Sequence, residues 1–106
     1  MTREEQIATA NTIIQQLGGR KFIAMTGAKD MMALDSGLRF RLPGGGGFTK
    51  NGINMVRIAL DPSDTYSVAF LRVRGQTVKT ISEHTDIYAD GLQELFTQET
   101  GLDTSL

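Results

Sequence analysis

The sequence contains no cysteine, no tryptophan and a single histidine in 106 residues. Without cysteine this chain has no disulfide, zinc finger, iron–sulfur cluster or thiol nucleophile. One histidine excludes a two-histidine metal site of the His-Glu-x-x-His type within one chain. No residue pattern predicts a catalytic or metal-binding residue, and we expect no cofactor.

Long apolar runs are also missing, and none approaches the roughly 20 residues that a membrane helix needs. The N-terminal residues 1–5 include two acids and no apolar run, which is unlike a signal peptide. We therefore expect a soluble, intracellular protein with no membrane partner. Hydrophobic residues make up 40% and charged residues 22% of the chain, as in globular proteins, so residues 1–106 are predicted to form a single domain.

Helices are predicted at both ends of the chain. Thr2 and Glu5 have the spacing of a capping box, and apolar residues then recur at helical spacing until a Gly-Gly pair ends the helix. Near the other end, Thr85 or Asp86 is a candidate N-cap, and Gly101 is the expected end of the second helix. The apolar face of this second helix is expected to consist of Ile87, Tyr88, Leu92, Leu95 and Phe96.

Strands are predicted between the two helices, separated by turns such as residues 27–30. They cover residues 21–26, 31–34, 38–42, 53–60, 65–74 and 77–83. Because short turns join most of these strands, the sheet should be mainly antiparallel. The predicted fold class is therefore α+β with two layers, in which the N-terminal and the C-terminal helix flank one face of a mainly antiparallel sheet of five or six strands.

The alternation within residues 38–42 indicates which side chains face away from the core. It places the two leucines and Phe40 on one face and Arg39 and Arg41 on the other. In the next strand, Arg57 has the outward parity. The outer face of the sheet is therefore predicted to carry arginines.

The strand at residues 65–74 shows a break in its pattern. Its apolar residues change parity between Phe70 and Leu71. A β-bulge at this point would keep both apolar sets inside and turn Arg72 and Arg74 outward. We therefore add these two arginines to the predicted outer face.

The net charge of −1 conceals an uneven distribution of charge. Residues 20–79 carry ten basic and four acidic side chains, whereas residues 80–106 carry six acids and no lysine or arginine. Two interpretations of the basic face stay open. It is either an anion-binding surface, because arginines on neighbouring strands suit bidentate recognition of phosphate, or the ordinary polar face of a half-covered sheet.

Two further features have competing interpretations. The run Gly44–Gly47 completes neither of the usual phosphate-binding motifs, so it is either a flexible connection or a loop that contacts a ligand. His84 lies between Glu83 and Thr85, and it is either a general base with a carboxylate neighbour or a surface or capping histidine.

Several segments resemble a family of small, uncharacterised proteins encoded by bacteriophages and prophages. The likeness covers nearly the whole chain and lies in residues 19–29 (GRKFIAMTGAK), 38–42 (LRFRL), 64–70 (DTYSVAF), 86–90 (DIYAD) and 100–106 (TGLDTSL). The resemblance includes no catalytic motif, so no functional residue follows from it. It implies a phage protein that acts in the cytoplasm of a bacterial host cell.

With that setting, the leading hypothesis is a non-enzymatic accessory protein that binds a macromolecule. The partner would be a host or defence protein complex, inhibited by a helix whose acids Asp86, Asp90 and Glu94 recur every four residues. A first alternative is a nucleic-acid-binding module that uses Arg39, Arg41, Arg57, Arg72 and Arg74. A second is a virion or assembly component that self-associates. The sequence does not specify an oligomeric state.

Overall fold

The computed structural model describes residues 2–43 and 49–104. Within these residues the chain forms, in order, α1 (Arg3–Leu17), α2 (Arg20–Thr26), β1 (Lys29–Leu34), β2 (Gly37–Arg41), β3 (Met55–Leu60), β4 (Tyr66–Arg74), β5 (Thr77–Ile87) and α3 (Leu92–Thr100). Two short 3-10 turns, Lys50–Gly52 and Ala89–Gly91, precede β3 and α3. No helix in the two described ranges is long and apolar enough to cross a membrane.

The five strands form one antiparallel sheet in which the spatial order is the chain order, β1-β2-β3-β4-β5. Consecutive strands are neighbours, and short turns join β1 to β2, β3 to β4 and β4 to β5, as is usual in an antiparallel sheet. The N-terminal and C-terminal helices pack on one face of this sheet together with α2. The predicted α+β class with its antiparallel sheet is confirmed, with five strands.

Three phenylalanines from different parts of the chain form the centre of the core. The ring of Phe22 in α2 lies 5.4 Å from that of Phe40 in β2 and 5.1 Å from that of Phe96 in α3, in edge-to-face contact. All three side chains are buried. These contacts attach α2 and α3 to the same side of the sheet and leave the other side open.

The first helix begins as the sequence predicts. The Glu5 backbone N–H donates to Thr2 Oγ1 at 3.2 Å, and the Thr2 N–H donates to the Glu5 carboxylate at 3.4 Å, which completes the capping box. The helix ends at Gly18, whose φ of +127° is accessible to glycine. Its buried residues recur at helical spacing and are Ala10, Ile13 and Leu17.

The strand predicted at residues 21–26 is wrong, because this segment is the helix α2. Phe22 and Thr26 are both buried, one helical turn apart, and Thr26 Oγ1 donates to the Phe22 carbonyl at 2.7 Å. Gly27 then ends the helix with a φ of +70°. A run this short carries no decisive periodicity, and the packing of Phe22 into the core selects the helix.

The predicted start of the second helix is also wrong. The last strand continues to Ile87, and α3 begins at Leu92. Asp86 belongs to β5, where it adopts a φ of +57° at an irregularity in the pairing with β4. Tyr88 is 68% exposed and so does not contribute to the apolar face of α3. The structure places Leu92, Leu95 and Phe96 in the core as predicted.

Candidate functional site

The outer face of the sheet, opposite the helices, obtains its arginines from the alternation within β2 and β3. Leu38 and Phe40 of β2 are buried in the core, so Arg39 and Arg41 point to the other side. Arg57 lies between two buried residues of β3 and points the same way. The predicted placement of these three arginines on one face is confirmed.

Two pairs of like charges lie side by side on this face. Arg39 is directly opposite Arg57, and Lys29 is directly opposite Arg41. Directly opposite side chains have Cβ atoms about 4.5–5.5 Å apart, and like charges at that spacing destabilise a sheet. We call these four residues the basic corner.

The four side chains of the basic corner are close enough to act together. Adjacent strands lie about 4.8 Å apart, and residues two apart on one strand are separated by about 6.8 Å. The four Cα positions therefore fit within an area of roughly 10 by 7 Å. This is about one Debye length at physiological ionic strength, so their electrostatic potentials add.

Within the described ranges, no acid forms an ion pair with the basic corner. The one ion pair found among the described residues joins His84 Nε2 to Glu99 Oε1 at 2.7 Å and lies on the helix side of the sheet, away from the basic corner. Glu83 shares the outer face but belongs to β5, two strands away from Arg57. The four cations of the corner therefore keep their donors free of carboxylate partners in the described residues.

Beyond the basic corner, the outer face is mainly apolar. Leu71 of β4 lies directly opposite Met55 of β3 and is only 6% exposed. At the two edges, Met32 of β1 is 49% exposed and Val78 of β5 is 60% exposed. The Arg39 guanidinium donates to Met32 Sδ at 3.0 Å, a weak acceptor that leaves its other N–H groups available.

Arg72 and Arg74 lie on the opposite side of the sheet from the basic corner. β3 pairs with β4 without interruption through Phe70 and Leu71, so Leu71 takes the outer side and the next residue the helix side. The extra residue is in β5, where the pairing with β4 skips Ile81. The predicted bulge in β4 and the outward turn of these two arginines are therefore wrong. The physical reason is that neighbours on the outer face bury Leu71 there, so it does not need to reach the core.

The acids near the C-terminus do not share one helix. Asp86 lies in β5, Asp90 in the 3-10 turn that follows, and Glu94 in the first turn of α3. A spacing of four residues places side chains together only on a continuous helix, so the predicted three-residue stripe is wrong. Asp90 and Glu94 are exposed and occupy consecutive turns.

His84 takes part in a second polar cluster, which joins β5 to α3. Ser82 Oγ donates to Glu99 Oε1 at 2.7 Å, and His84 Nε2 lies 2.7 Å from the same oxygen. These contacts, the Ser82 hydrogen bond first, hold the pKa of Glu99 below its usual value. Because the hydroxyl binds the carboxylate and not the imidazole, the cluster is not arranged as a nucleophile with its general base.

Lys29 is the member of the basic corner that sequence reasoning missed. The pattern predicts a turn at residues 27–30, whereas β1 begins at Lys29. Asp30 has a φ of +54°, and the pairing with β2 is irregular after Lys29, so the segment shows no alternation that could reveal a strand. The run Gly44–Gly47, predicted as a flexible connection or a ligand loop, lies outside the described residues.

No protein-family model, curated protein or solved structure matches this chain. The resemblance to phage and prophage proteins accordingly stays a prediction. The candidate site is defined by the register of β1, β2 and β3, which brings Lys29, Arg39, Arg41 and Arg57 together.

Proposed function

We propose that this protein is a non-enzymatic binding module whose outer sheet face binds the phosphates of a single-stranded nucleic acid. The observation that carries the proposal is the direct opposition of Arg39 and Arg57, extended by the neighbouring pair Lys29 and Arg41. Two like-charged pairs cost folding free energy. A bound anionic ligand relieves this repulsion, and each guanidinium can form bidentate contacts with phosphate. Both effects favour binding.

A single strand fits this face better than a duplex. The net charge of the chain is −1, whereas strong non-specific binding to a duplex is typical of basic domains. An unpaired strand also exposes its bases, which can lie on the apolar side chains of Met55 and Met32 beside the basic corner. Because phosphate contacts position a nucleic acid without reading its sequence, we expect little sequence preference.

Fluorescence anisotropy with labelled single-stranded DNA, RNA and duplex DNA tests the proposal. The site variant replaces Arg39, Arg41 and Arg57 by alanine. The control variant replaces Arg3, Arg20 and Lys21, which are exposed residues of α1 and α2, and removes the same charge. We expect the site variant to bind single strands more than about tenfold more weakly and the control to bind like the original protein, because charge-assisted contacts are local.

Two results would overturn this assignment. Equal losses in the two variants would mean that binding depends on overall charge and not on the outer face. No binding to any oligonucleotide at about 50 mM salt, where phosphate contacts are strongest, would remove nucleic acid as the partner.

A second candidate function, in the cytoplasm of a bacterial host, is the blocking of a host or defence protein complex. Asp90 and Glu94 favour it, because both are exposed on consecutive turns and could imitate phosphates. Affinity capture from a bacterial lysate with the original protein and a D90N/E94Q variant tests it. A protein captured only by the original chain supports this function, and equal capture by both contradicts it. Self-association, which a virion component requires, would appear as a concentration-dependent elution volume in size-exclusion chromatography.

A further inference from the structure

An open cleft of about 320 Å³ lies where the 3-10 turn Lys50–Gly52 meets the ends of β4 and β5. Its lining combines two cations, an amide, a hydroxyl and one aliphatic side chain: Arg72, Lys79, Asn51, Thr80 and Ile81. The volume is at the lower end of the range for small-molecule sites, roughly 300–1,000 Å³. The cleft is thus large enough for a small polar ligand.

The two cations of the cleft are held next to each other by the sheet. Arg72 of β4 is directly opposite Lys79 of β5. This is a third like-charged cross-strand pair, and such pairs destabilise a sheet unless an anion lies between them. Within residues 2–43 and 49–104, neither cation forms an ion pair.

The segment around Arg72 is fixed from both sides. Asn54 binds the backbone of Val73 twice, with its amide donating to the carbonyl at 2.9 Å and its oxygen accepting the N–H at 2.8 Å. A Cβ added to Gly52 would lie 2.9 Å from Arg72 Cδ, so the arginine stem rests directly on that glycine. Lys50 anchors the turn to α3 by donating to the Gln98 carbonyl at 3.1 Å. The backbone next to Arg72 and the aliphatic stem of its side chain are therefore held in position before any ligand arrives.

From this geometry we infer a second anion site, in which Arg72 and Lys79 bind the phosphate group of a small phosphomonoester. Arg72 supplies planar paired donors and Lys79 a compact charge, which together match a phosphate dianion. Asn51 can donate to a remaining phosphate oxygen, and Ile81 offers an apolar surface to the organic part of the ligand.

This site is separate from the basic corner. Leu71 shares the outer face with Arg41, and Arg72, the next residue, lies on the other side of the sheet. A strand of nucleic acid on the outer face therefore leaves Arg72 free. Different substitutions should therefore abolish binding at the two sites. A negative result for one proposed site leaves the other proposal standing.

Amide chemical shifts in a ¹H–¹⁵N correlation spectrum test the second site. The probes are inorganic phosphate and adenosine 5′-monophosphate, with sodium chloride at equal ionic strength as the reference. We expect saturable shifts at residues 51, 72 and 79–81, with a dissociation constant of about 1 mM or lower, because two charge-assisted contacts of ordinary strength give that affinity. Tighter binding of the nucleotide identifies a phosphomonoester, and equal binding identifies free phosphate as the ligand.

Two single-residue variants and a neighbouring control complete the test. R72Q and K79Q should each weaken binding about tenfold, whereas R74Q, two residues along the same strand and outside the cleft lining, should leave it within about twofold. The spectrum of each variant shows directly whether it is folded. An equal effect of R74Q, shifts centred on residues 39, 41 and 57, or the same shifts with sodium chloride would overturn the second site.

Discussion

Arg39 of β2 and Arg57 of β3 occupy directly opposite positions on the uncovered face of the sheet. On an otherwise ordinary sheet face, a cross-strand position next to an arginine is better filled by an acid or a neutral residue. Lys29 of β1 and Arg41 of β2 form a second like-charged pair, two residues further along β2. Stability alone would favour other residues at these positions. Two neighbouring like-charged pairs are therefore typical of a surface whose charge binds a ligand.

The repulsion between Arg39 and Arg57 predicts an unusual result for charge reversal. R57E should raise the free energy of unfolding by about 0.2–1 kcal/mol, because it converts a like-charged pair into an opposite pair. R57Q should fall between R57E and the original protein. Urea unfolding at low salt measures all three, and the same R57E protein should bind single-stranded DNA more than about tenfold more weakly.

A double-mutant cycle supplies the control for this interpretation. R39E alone should stabilise the fold for the same reason as R57E. The double variant R39E/R57E restores a like-charged pair and should be less stable than either single variant. Additive effects in the cycle would contradict a direct interaction between the two side chains.

Gly37 allows β2 to approach β3 closely, because it has no Cβ. A Cβ at this position would overlap the Ile58 carbonyl oxygen and would lie 2.9 Å from Ala59 Cα, both backbone atoms that cannot move away cheaply. Gly37→Ala should therefore destabilise the fold by about 2 kcal/mol or more, as overpacking does. Thermal or urea unfolding measures the loss.

Gly75 is the matched control for Gly37. It has a φ of +56°, and an added Cβ would meet nothing within 4 Å. Gly75→Ala should cost about 1–2 kcal/mol from backbone strain alone. If Gly75→Ala were clearly the more destabilising change, the close packing of β2 on β3 at Gly37 would not be a structural constraint.

Glu99 predicts an acid-dependent loss of stability. The Ser82 hydrogen bond, followed by that of His84, lowers the pKa of Glu99 in the folded protein. A lowered folded-state pKa contributes stability that is present above the ordinary value of 4.5 and is lost as the pH falls through the folded-state pKa. Urea midpoints from about pH 6 to about pH 3 should therefore fall less steeply in E99Q than in the original protein.

Ser82→Ala separates the causes of this pH dependence. Without the hydroxyl, the larger stabilising contact of the Glu99 carboxylate is gone. The slope of the urea midpoint against pH should then lie between those of E99Q and the original protein. Identical slopes in all three proteins would show that other carboxylates control acid stability.

The alternation in β2 was sufficient to predict its part of the candidate site. Residues 38–42 have only one arrangement that buries Leu38 and Phe40, and it forces Arg39 and Arg41 outward. Lys29 could not be predicted in the same way, because a left-handed Asp30 interrupts the strand that carries it. Its position opposite Arg41 follows from pairing between strands, which local sequence does not encode.

The errors near the C-terminus have a similar origin. Asp86, Asp90 and Glu94 have helical spacing, but Asp86 belongs to β5 and has a left-handed conformation that a right-handed helix does not accept. The orientation of Arg72 depends on Leu71 being buried on the outer face, which is a tertiary effect. The cleft between Arg72 and Lys79 depends in turn on the register of β4 with β5. None of these contacts could be read from periodicity.

The salt dependence of single-stranded DNA binding tests the central claim most directly. If the four cations of the basic corner each neutralise one phosphate, log K should fall with log salt with a slope of about −2.8, a loss of roughly 50-fold between about 50 and 200 mM. R57Q should reduce the slope by about 0.7, and R20Q in α2 should leave it unchanged. A slope near zero, or equal changes in the two variants, would contradict phosphate binding by the outer face of the sheet.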